Sequence, residues 1–212
     1  MLAALTQACV NNGADVVVRL RPSNYSDIGT LLDSGVTGIM IPQVKGPEEV
    51  REVVAAMKFP PQGHRGSGGT SLDSDFGLAS PEEYFPTANE NNFLIAQIED
   101  PVVVNHIEEI AAIDGVDVLF VGPGDLTLSM GIPGQQGHPE VLKIMRRVAR
   151  ACQDNGKVAG IATSTAKIPE QMEMGFRLFS AASDFRFVHN GLQAVRSELE
   201  ALDIKFNEVS QT

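Results

Sequence analysis

Two acidic residues close apolar runs in the middle of the chain: Asn92-Phe93-Leu94-Ile95-Ala96-Gln97-Ile98-Glu99 and Val118-Leu119-Phe120-Val121-Gly122-Pro123-Gly124-Asp125. One helix-sized segment separates them. Apolar runs that stop abruptly in polar chemistry fit successive parallel strands whose C-terminal ends lie side by side. Two carboxylates there, with the other coordination positions left to water and ligand, suit a hard divalent cation such as Mg2+ or Mn2+, with Co2+ also admissible. Nothing in the spacing favours zinc. Singly, each acid has a plainer use, Glu99 as a strand-end acid in solvent and Asp125 as a helix N-cap. Side chains alternate along a strand, so Gln97 shares a face with Glu99, and Arg19 shares one with Val17. Arg19, Gln97, Glu99 and Asp125 put polar groups at three strand ends, where an unpaired buried charge is costly. The Gly122-Pro123-Gly124-Asp125 turn adds backbone amides, at Gly124 and Asp125, that a carboxylate or phosphate could approach. The same tetrapeptide is also ordinary turn chemistry.

Other chemistries find less support. None of the six lysines (Lys45, Lys58, Lys143, Lys157, Lys167 and Lys205) falls inside a strand, so a metal-assisted route is favoured over a Schiff base. There is no nucleophilic serine elbow and no Walker loop. His138 reads as a helix cap, His106 lies on a helix and His189 follows the last strand. His64, in the glycine-rich stretch Gly63-His64-Arg65-Gly66-Ser67-Gly68-Gly69, is the only histidine placed where a site would use it. Cys9 and Cys152 form no metal or redox motif and read as small buried hydrophobes.

The elements that position these residues alternate strictly. Strands are expected at 15–20, 38–42, 93–99, 117–121, 158–161 and 178–182. Helices are expected at 2–12, from an Asn24 or Ser26 cap to Gly35, from Pro47 through Met57, from a Ser80/Glu83 capping box, from Pro101 to Gly115, from Pro139 to Gly156, from Pro169 to Gly175, and at 190–203. Residues 59–79 read as a long loop, which in a compact domain is functional or interfacial. This is an α/β chain with a parallel sheet covered by helices, read as one domain over 1–212. A (β/α)8 barrel with about six of its eight units fits best, because the chemistry sits at strand C-terminal ends. A doubly wound open sheet is the alternative, and strand count alone would favour it.

The chain has 212 residues and a net charge of −11, with no basic cluster, so nucleic acid and anionic membranes are poor partners. No apolar run nears the roughly 18 residues of a membrane span. The N-terminus lacks the basic region of a signal peptide, and a cytoplasmic location is expected.

Several stretches together resemble the HpcH/HpaI aldolase family of metal-dependent (class II) pyruvate aldolases. They are Val17-Val18-Arg19, Leu31-Leu32-Asp33, Pro60-Pro61-Gln62-Gly63-His64-Arg65-Gly66, Gln97-Ile98-Glu99, Gly115-Val116-Asp117, Gly122-Pro123-Gly124-Asp125-Leu126 and Gly137-His138-Pro139. The resemblance implies a barrel lyase that cleaves 4-hydroxy-2-oxo acids, such as 2-keto-3-deoxy sugar acids, to pyruvate and an aldehyde. It implies Glu99 and Asp125 as metal ligands and Gln97 as a substrate contact. It implies the Gly124 amide as the holder of the substrate carboxylate, where alanine or serine is more usual. Arg19 is implied as the stabiliser of the enolate, and Asp33 as an acid that raises the basicity of a catalytic histidine. It further implies a hexamer in which the final helix packs on a neighbouring barrel, and a Gly63–Gly69 loop near subunit contacts. The family's first two βα units, and the histidine base in an Asp-x-Glu-His-like stretch, are expected to lie outside this sequence. Three readings accommodate that: a fragment, a wall supplied by a neighbouring subunit, or a remnant that binds metal and keto acid without turnover. Oxaloacetate decarboxylation through the same enolate needs no such base. A citrate-lyase-type acyl-CoA enzyme would need a basic surface that the charge does not offer.

Overall fold

A computed structural model describes residues 2–206. Its six strands are β1 (Val17–Arg19), β2 (Gly38–Ile41), β3 (Phe93–Ile98), β4 (Val118–Val121), β5 (Val158–Ala162) and β6 (Phe176–Ser180). All are parallel, and they lie in the sheet in chain order. That order decides between the two expected architectures. A doubly wound sheet reverses its winding partway and so breaks sequential neighbourhood. Here every connection steps the same way, as in the wall of a barrel, and the six strands form a curled part-barrel with β1 and β6 at its edges.

The two faces of the sheet are filled differently. On the outer face, Ile39, Leu94, Ala96, Ile98, Leu119, Val121 and Ile161 merge with the helices into the main core. Those helices include α3 (Pro47–Met57), which contributes Val50, Val53 and Met57, and α8 (Pro139–Asp154), which contributes Val148 and Cys152. Each fully buried side chain of this size stabilises the fold by roughly 1.5–3 kcal/mol. The Cys152 thiol is pushed up to about 11 by burial, as expected of an inert core cysteine. The inner face carries a smaller cluster of Ile95, Val118 and Phe120, with Phe93 and Met40 against it. Gly160 makes room for it, since a Cβ there would lie 2.6 Å from the Phe120 ring. Gln97 and Glu99 follow Ile95 along that inner face.

Helix boundaries depart from expectation where local chemistry intervenes. The helix expected over 101–115 is two pieces, α5 (Pro101–Val104) and α6 (Ile107–Ala111). Asp100 caps α5 by accepting from the Val102 amide at 2.7 Å, but the β-branched run Val102-Val103-Val104 is a poor helix former, and the turn breaks at Asn105. Helix α2 (Ile28–Asp33) is preceded by Asp27, and the Ser26 hydroxyl donates to Asn24 instead of capping. Ser80 and Glu83 bond each other at 3.1 Å and form no capping box, and α4 (Pro81–Asn91) is longer than expected. The last strand starts two residues early because Phe176 is buried opposite Ala159, beside a bulge. Ser183 then caps α10 (Asp184–Glu200), accepting from the Arg186 amide at 3.2 Å.

Residues 58–92 connect the C-terminus of α3 to the start of β3, so they cover the N-terminal end of the sheet. The expected loop contains a 3₁₀ segment, Leu72–Gly77, and is tied down by charge. One Arg65 guanidinium nitrogen donates to both Asp33 and Asp73 at 2.6 Å, and Tyr84 donates to Asp73 at 2.6 Å. The guanidinium lies 4.5 Å from the Phe59 ring centre, and its side chain is 1% exposed. Lys58 is buried there too, donating to the Asn89 and Asn92 carbonyls at 2.5 and 2.6 Å. Burial holds its pKa below the usual lysine value.

Candidate active site

The site is built where β3 and β4 end. Glu99 directly follows β3 and is 4% exposed, although it is a carboxylate. Its Oε1 accepts from the Gln43 amide at 2.7 Å. Gln43 sits just past the end of β2 with φ of 50°, a left-handed backbone uncommon for a residue other than glycine. Local strain there aims an N–H at the acid, a pattern found at functional sites. Glu99 Oε2 has no hydrogen-bond partner among the described residues, and neither has Oε1 of Gln97, which is also 4% exposed. Buried polar atoms without partners are rare, and these two share one inner face.

Gly122 completes the enclosure. A Cβ at this position would lie 2.8 Å from Glu99 Oε2, 3.2 Å from Glu99 Cβ and 3.7 Å from Gln97 Nε2. A larger residue there would displace the Glu99 carboxylate from its present position. Helix α7 (Pro123–Ser129) starts immediately after it, with Asp125 exposed in its first turn. Asp125 is not the N-cap of its plainer reading; Gly122 holds that position. A Cβ on Gly124 would meet nothing within 4 Å, so space is open over the free first-turn amides.

Charge links the parts. Burial raises the Glu99 pKa; the Gln43 amide lowers it, the Asp125 charge raises it and Arg19 lowers it. Asp125 and Arg19 are thus both within electrostatic reach of the buried carboxylate. Arg19 is exposed at the end of β1. The structure brings Arg19, Gln97, Glu99, Gly124 and Asp125 to one rim.

Asp33 is not among them. It ends α2, five residues before β2 begins at Gly38, and so lies towards the sheet's N-terminal end, where its carboxylate serves Arg65. His64 belongs to that end as well, its amide bonded to the Ala55 carbonyl at 2.8 Å. His138 caps α8, accepting from the Glu140 amide at 3.3 Å. Lys58, despite its lowered pKa, is at the far end and held by backbone carbonyls, so it offers no amine to the rim. A cavity of about 590 Å3 also lies at that far end, between α1 (Leu2–Val10), Thr37 and α4, and none of the rim residues lines it. Sequence reasoning assigns no role to Gln43 and takes Gly122 only as part of the turn before Asp125. Only the abrupt Pro42-Gln43 stop after an apolar strand signals the first, and only the glycine's place just past β4, opposite Glu99 in the register, marks the second.

The donor set fits a hard divalent cation. Glu99 offers a buried, unshared oxygen, Asp125 a second carboxylate, and Gln97 an amide oxygen, all oxygen ligands. No third His, Cys, Asp or Glu joins the two acids among the described residues, which leaves positions for a ligand's own oxygens.

A one-way parallel sheet with an acid pair on its C-terminal rim defines an α/β enzyme of the barrel type. Comparison with known proteins narrows the class. The HpcH/HpaI aldolase/citrate lyase family model matches residues 1–190, and the chain belongs to that family. It is 34% identical over 175 residues to the hydroxypyruvate/pyruvate aldolase of Roseobacter denitrificans, covering 82% of this chain and 68% of that protein. It is 35% identical over 155 residues to the 2-keto-3-deoxy-L-rhamnonate aldolase of Klebsiella pneumoniae, covering 73% of this chain and 57% of that protein, so it spans little more than half of that relative's length. The crystal structure of an HpcH/HpaI aldolase from Desulfitobacterium hafniense superposes with a TM-score of 0.85 at 32% identity, covering 98% of this chain and 79% of the other. Among the described residues no helix is long and apolar enough to cross a membrane.

Proposed function

We propose that this site cleaves the C3–C4 bond of a 4-hydroxy-2-oxo acid, releasing pyruvate and an aldehyde. The observation that carries this is the buried Glu99 oxygen without a partner, beside Gln97 and Asp125 at the rim of a chain in an aldolase family. Glu99 and Asp125 would hold a divalent cation, Mg2+ or Mn2+, which when bound supplies positive charge to the 2-oxo group as the bond breaks. The open amides at Gly124 and Asp125 hold the substrate carboxylate. Gln97 orients the substrate beside them. Arg19 places a fixed cation where negative charge develops on the enolate. The proton of the C4 hydroxyl must pass to a base. Asp33 faces away from its own rim, so its part in supporting a base requires a neighbouring copy to present its rim to that end.

The test is release of pyruvate from 2-keto-3-deoxy sugar acids with Mg2+ or Mn2+ present. Release should vanish with a chelator and return on adding metal. No release from any such acid with metal added would reject the reading. The relatives' names support cleavage, and no feature of the site favours the decarboxylase or the non-catalytic reading over it.

We also propose a homo-oligomer, a hexamer in the family's manner, held through α10. None of its 17 residues is buried, and Phe185, Val188 and Leu192 are 78%, 63% and 66% exposed. An amphipathic helix normally buries such a face. Sedimentation should find an assembly that Leu192→Asp with Val195→Asp dissociates; a monomeric wild type at micromolar concentration would count against it.

A further inference from the structure

The Gln43 amide that meets Glu99 lies in the connection from β2 to α3, residues 42–46, with Pro42 and Val44 buried on either side. The Gln43 side chain is exposed, so its packing does not hold the left-handed backbone at φ 50°. Glu49, in the first turn of α3, ties the connection down instead. Its Oε2 accepts from the Lys45 amide at 2.8 Å, and its Oε1 accepts from the Tyr25 hydroxyl at 2.5 Å. An acid at this place ordinarily serves the N-cap amide in a capping box. Here Gly46 is the N-cap, and Glu49 reaches one residue further back, into the turn. Its other oxygen leaves the helix altogether. Tyr25 belongs to the connection from β1 to α2, and its ring packs against the main core. Glu48, beside it, pairs with Arg51 on its own helix. Glu49 takes part in no ion pair among the described residues, and both its oxygens go to neutral donors.

The state of Glu99 shows what this clasp achieves. Its Oε1 is occupied by the Gln43 N–H, while its Oε2 is buried and has no partner among the described residues. A carboxylate divided in this way offers a cation one oxygen in one direction. Were the Gln43 peptide to turn away, both oxygens would compete for the cation and the carboxylate could rotate. We propose that Glu49 and Tyr25 are positioning residues of the cation site: by tying the two connections together they hold the Gln43 amide on Glu99 Oε1 and reserve Oε2 for the metal. Neither forms a hydrogen bond to Arg19, Gln97, Glu99 or Asp125 among the described residues, so the effect passes through the backbone. This rests on the site reading given above.

Mn2+ binding to the intact protein tests this without turnover, by calorimetry and by the paramagnetic resonance signal of free Mn2+. Glu49→Ala should weaken Mn2+ binding about 10- to 100-fold, the usual effect of removing a partner that orients a metal ligand. Glu49→Gln should restore most of that affinity, because its amide can accept from the Lys45 N–H and donate to the Tyr25 oxygen. Glu48→Ala should leave the affinity unchanged, although it removes the same charge from the same turn. Gln43→Val keeps the amide but opposes a positive φ. It should weaken binding too, and its loss should not add to that of Glu49→Ala, since both act through one hydrogen bond. Tyr25→Phe keeps the ring in the core and should weaken binding in the same direction; it decides the outcome should Glu49→Ala fail to fold. Equal losses in Glu49→Ala and Glu49→Gln, or a comparable loss in Glu48→Ala, would make charge the cause and overturn the positioning role. Wild-type affinity in Tyr25→Phe and Glu49→Ala, or losses from Gln43→Val and Glu49→Ala that add in full, would overturn it as well, and in each case the rim reading stands. A wild type that binds no Mn2+ overturns both.

Discussion

Glu99→Gln should lower metal-dependent pyruvate release by about a thousandfold or more, and it should do so without destabilising the metal-free fold. The substitution keeps the shape of a side chain enclosed by Gly122, Gln97 and the Gln43 amide. It removes the one buried charge offered to a cation. The stability half of the prediction follows from the raised pKa, which burial causes first and the Asp125 charge reinforces. A carboxyl whose folded pKa lies above its unfolded value adds stability that is complete below the unfolded pKa and lost as pH rises through the folded one. Metal-free wild type should therefore lose melting temperature relative to Glu99→Gln as pH rises from acid towards neutrality, and Mn2+ should reverse the loss in the wild type alone. Melting curves across pH with and without Mn2+, together with Mn2+ titration, check both halves. A variant that keeps wild-type Mn2+ affinity would remove Glu99 from the metal site.

The largest effect on stability is expected at the other end of the sheet. Arg65→Met should cost about 3–5 kcal/mol, the usual penalty for deleting one partner of a buried charge network. The guanidinium separates the Asp33 and Asp73 carboxylates, and without it only the neutral hydroxyls of Tyr84 and Ser71 donate to Asp73 among the described residues. A melting temperature lower by on the order of 10 °C is the expected reading. Asp33→Asn with Asp73→Asn on top of Arg65→Met should recover part of the loss, since the orphaned charges go with the cation. Unfolding in urea checks both. A loss below 1 kcal/mol would mean that solvent reaches the network.

The parts of the molecule that were legible in the sequence share a physical cause. Apolar runs with abrupt polar stops gave β3 and β4, and the acids at their ends, because buried strands leave no other place for charge. Proline and acidic first turns gave α3 and α8 by the same local logic. What was not legible depends on distant partners. The start of β6 at Phe176 goes with its pairing to Ala159 of β5, beside the bulge. Arg65 sits in a glycine-rich loop and would pass for a solvated residue, yet Asp33, Asp73 and the Phe59 ring enclose it. The resemblance implies a part for Asp33 in the chemistry, and nothing in the local sequence signals that the end of α2 also places it beside Arg65.

Because every strand points the same way, the chain keeps its fastenings at one end and its reactive groups at the other. The Arg65 network and the buried Lys58 fasten the chain at one end; the proposed site gathers at the strand exits of the other. A protein divided in this manner can exchange substrates by altering turns that carry little of its cohesion. Over evolutionary time its substitutions should sort into two populations, one tolerated at the exits as preferences diverge, the other purged at the opposite pole wherever the chain would come apart.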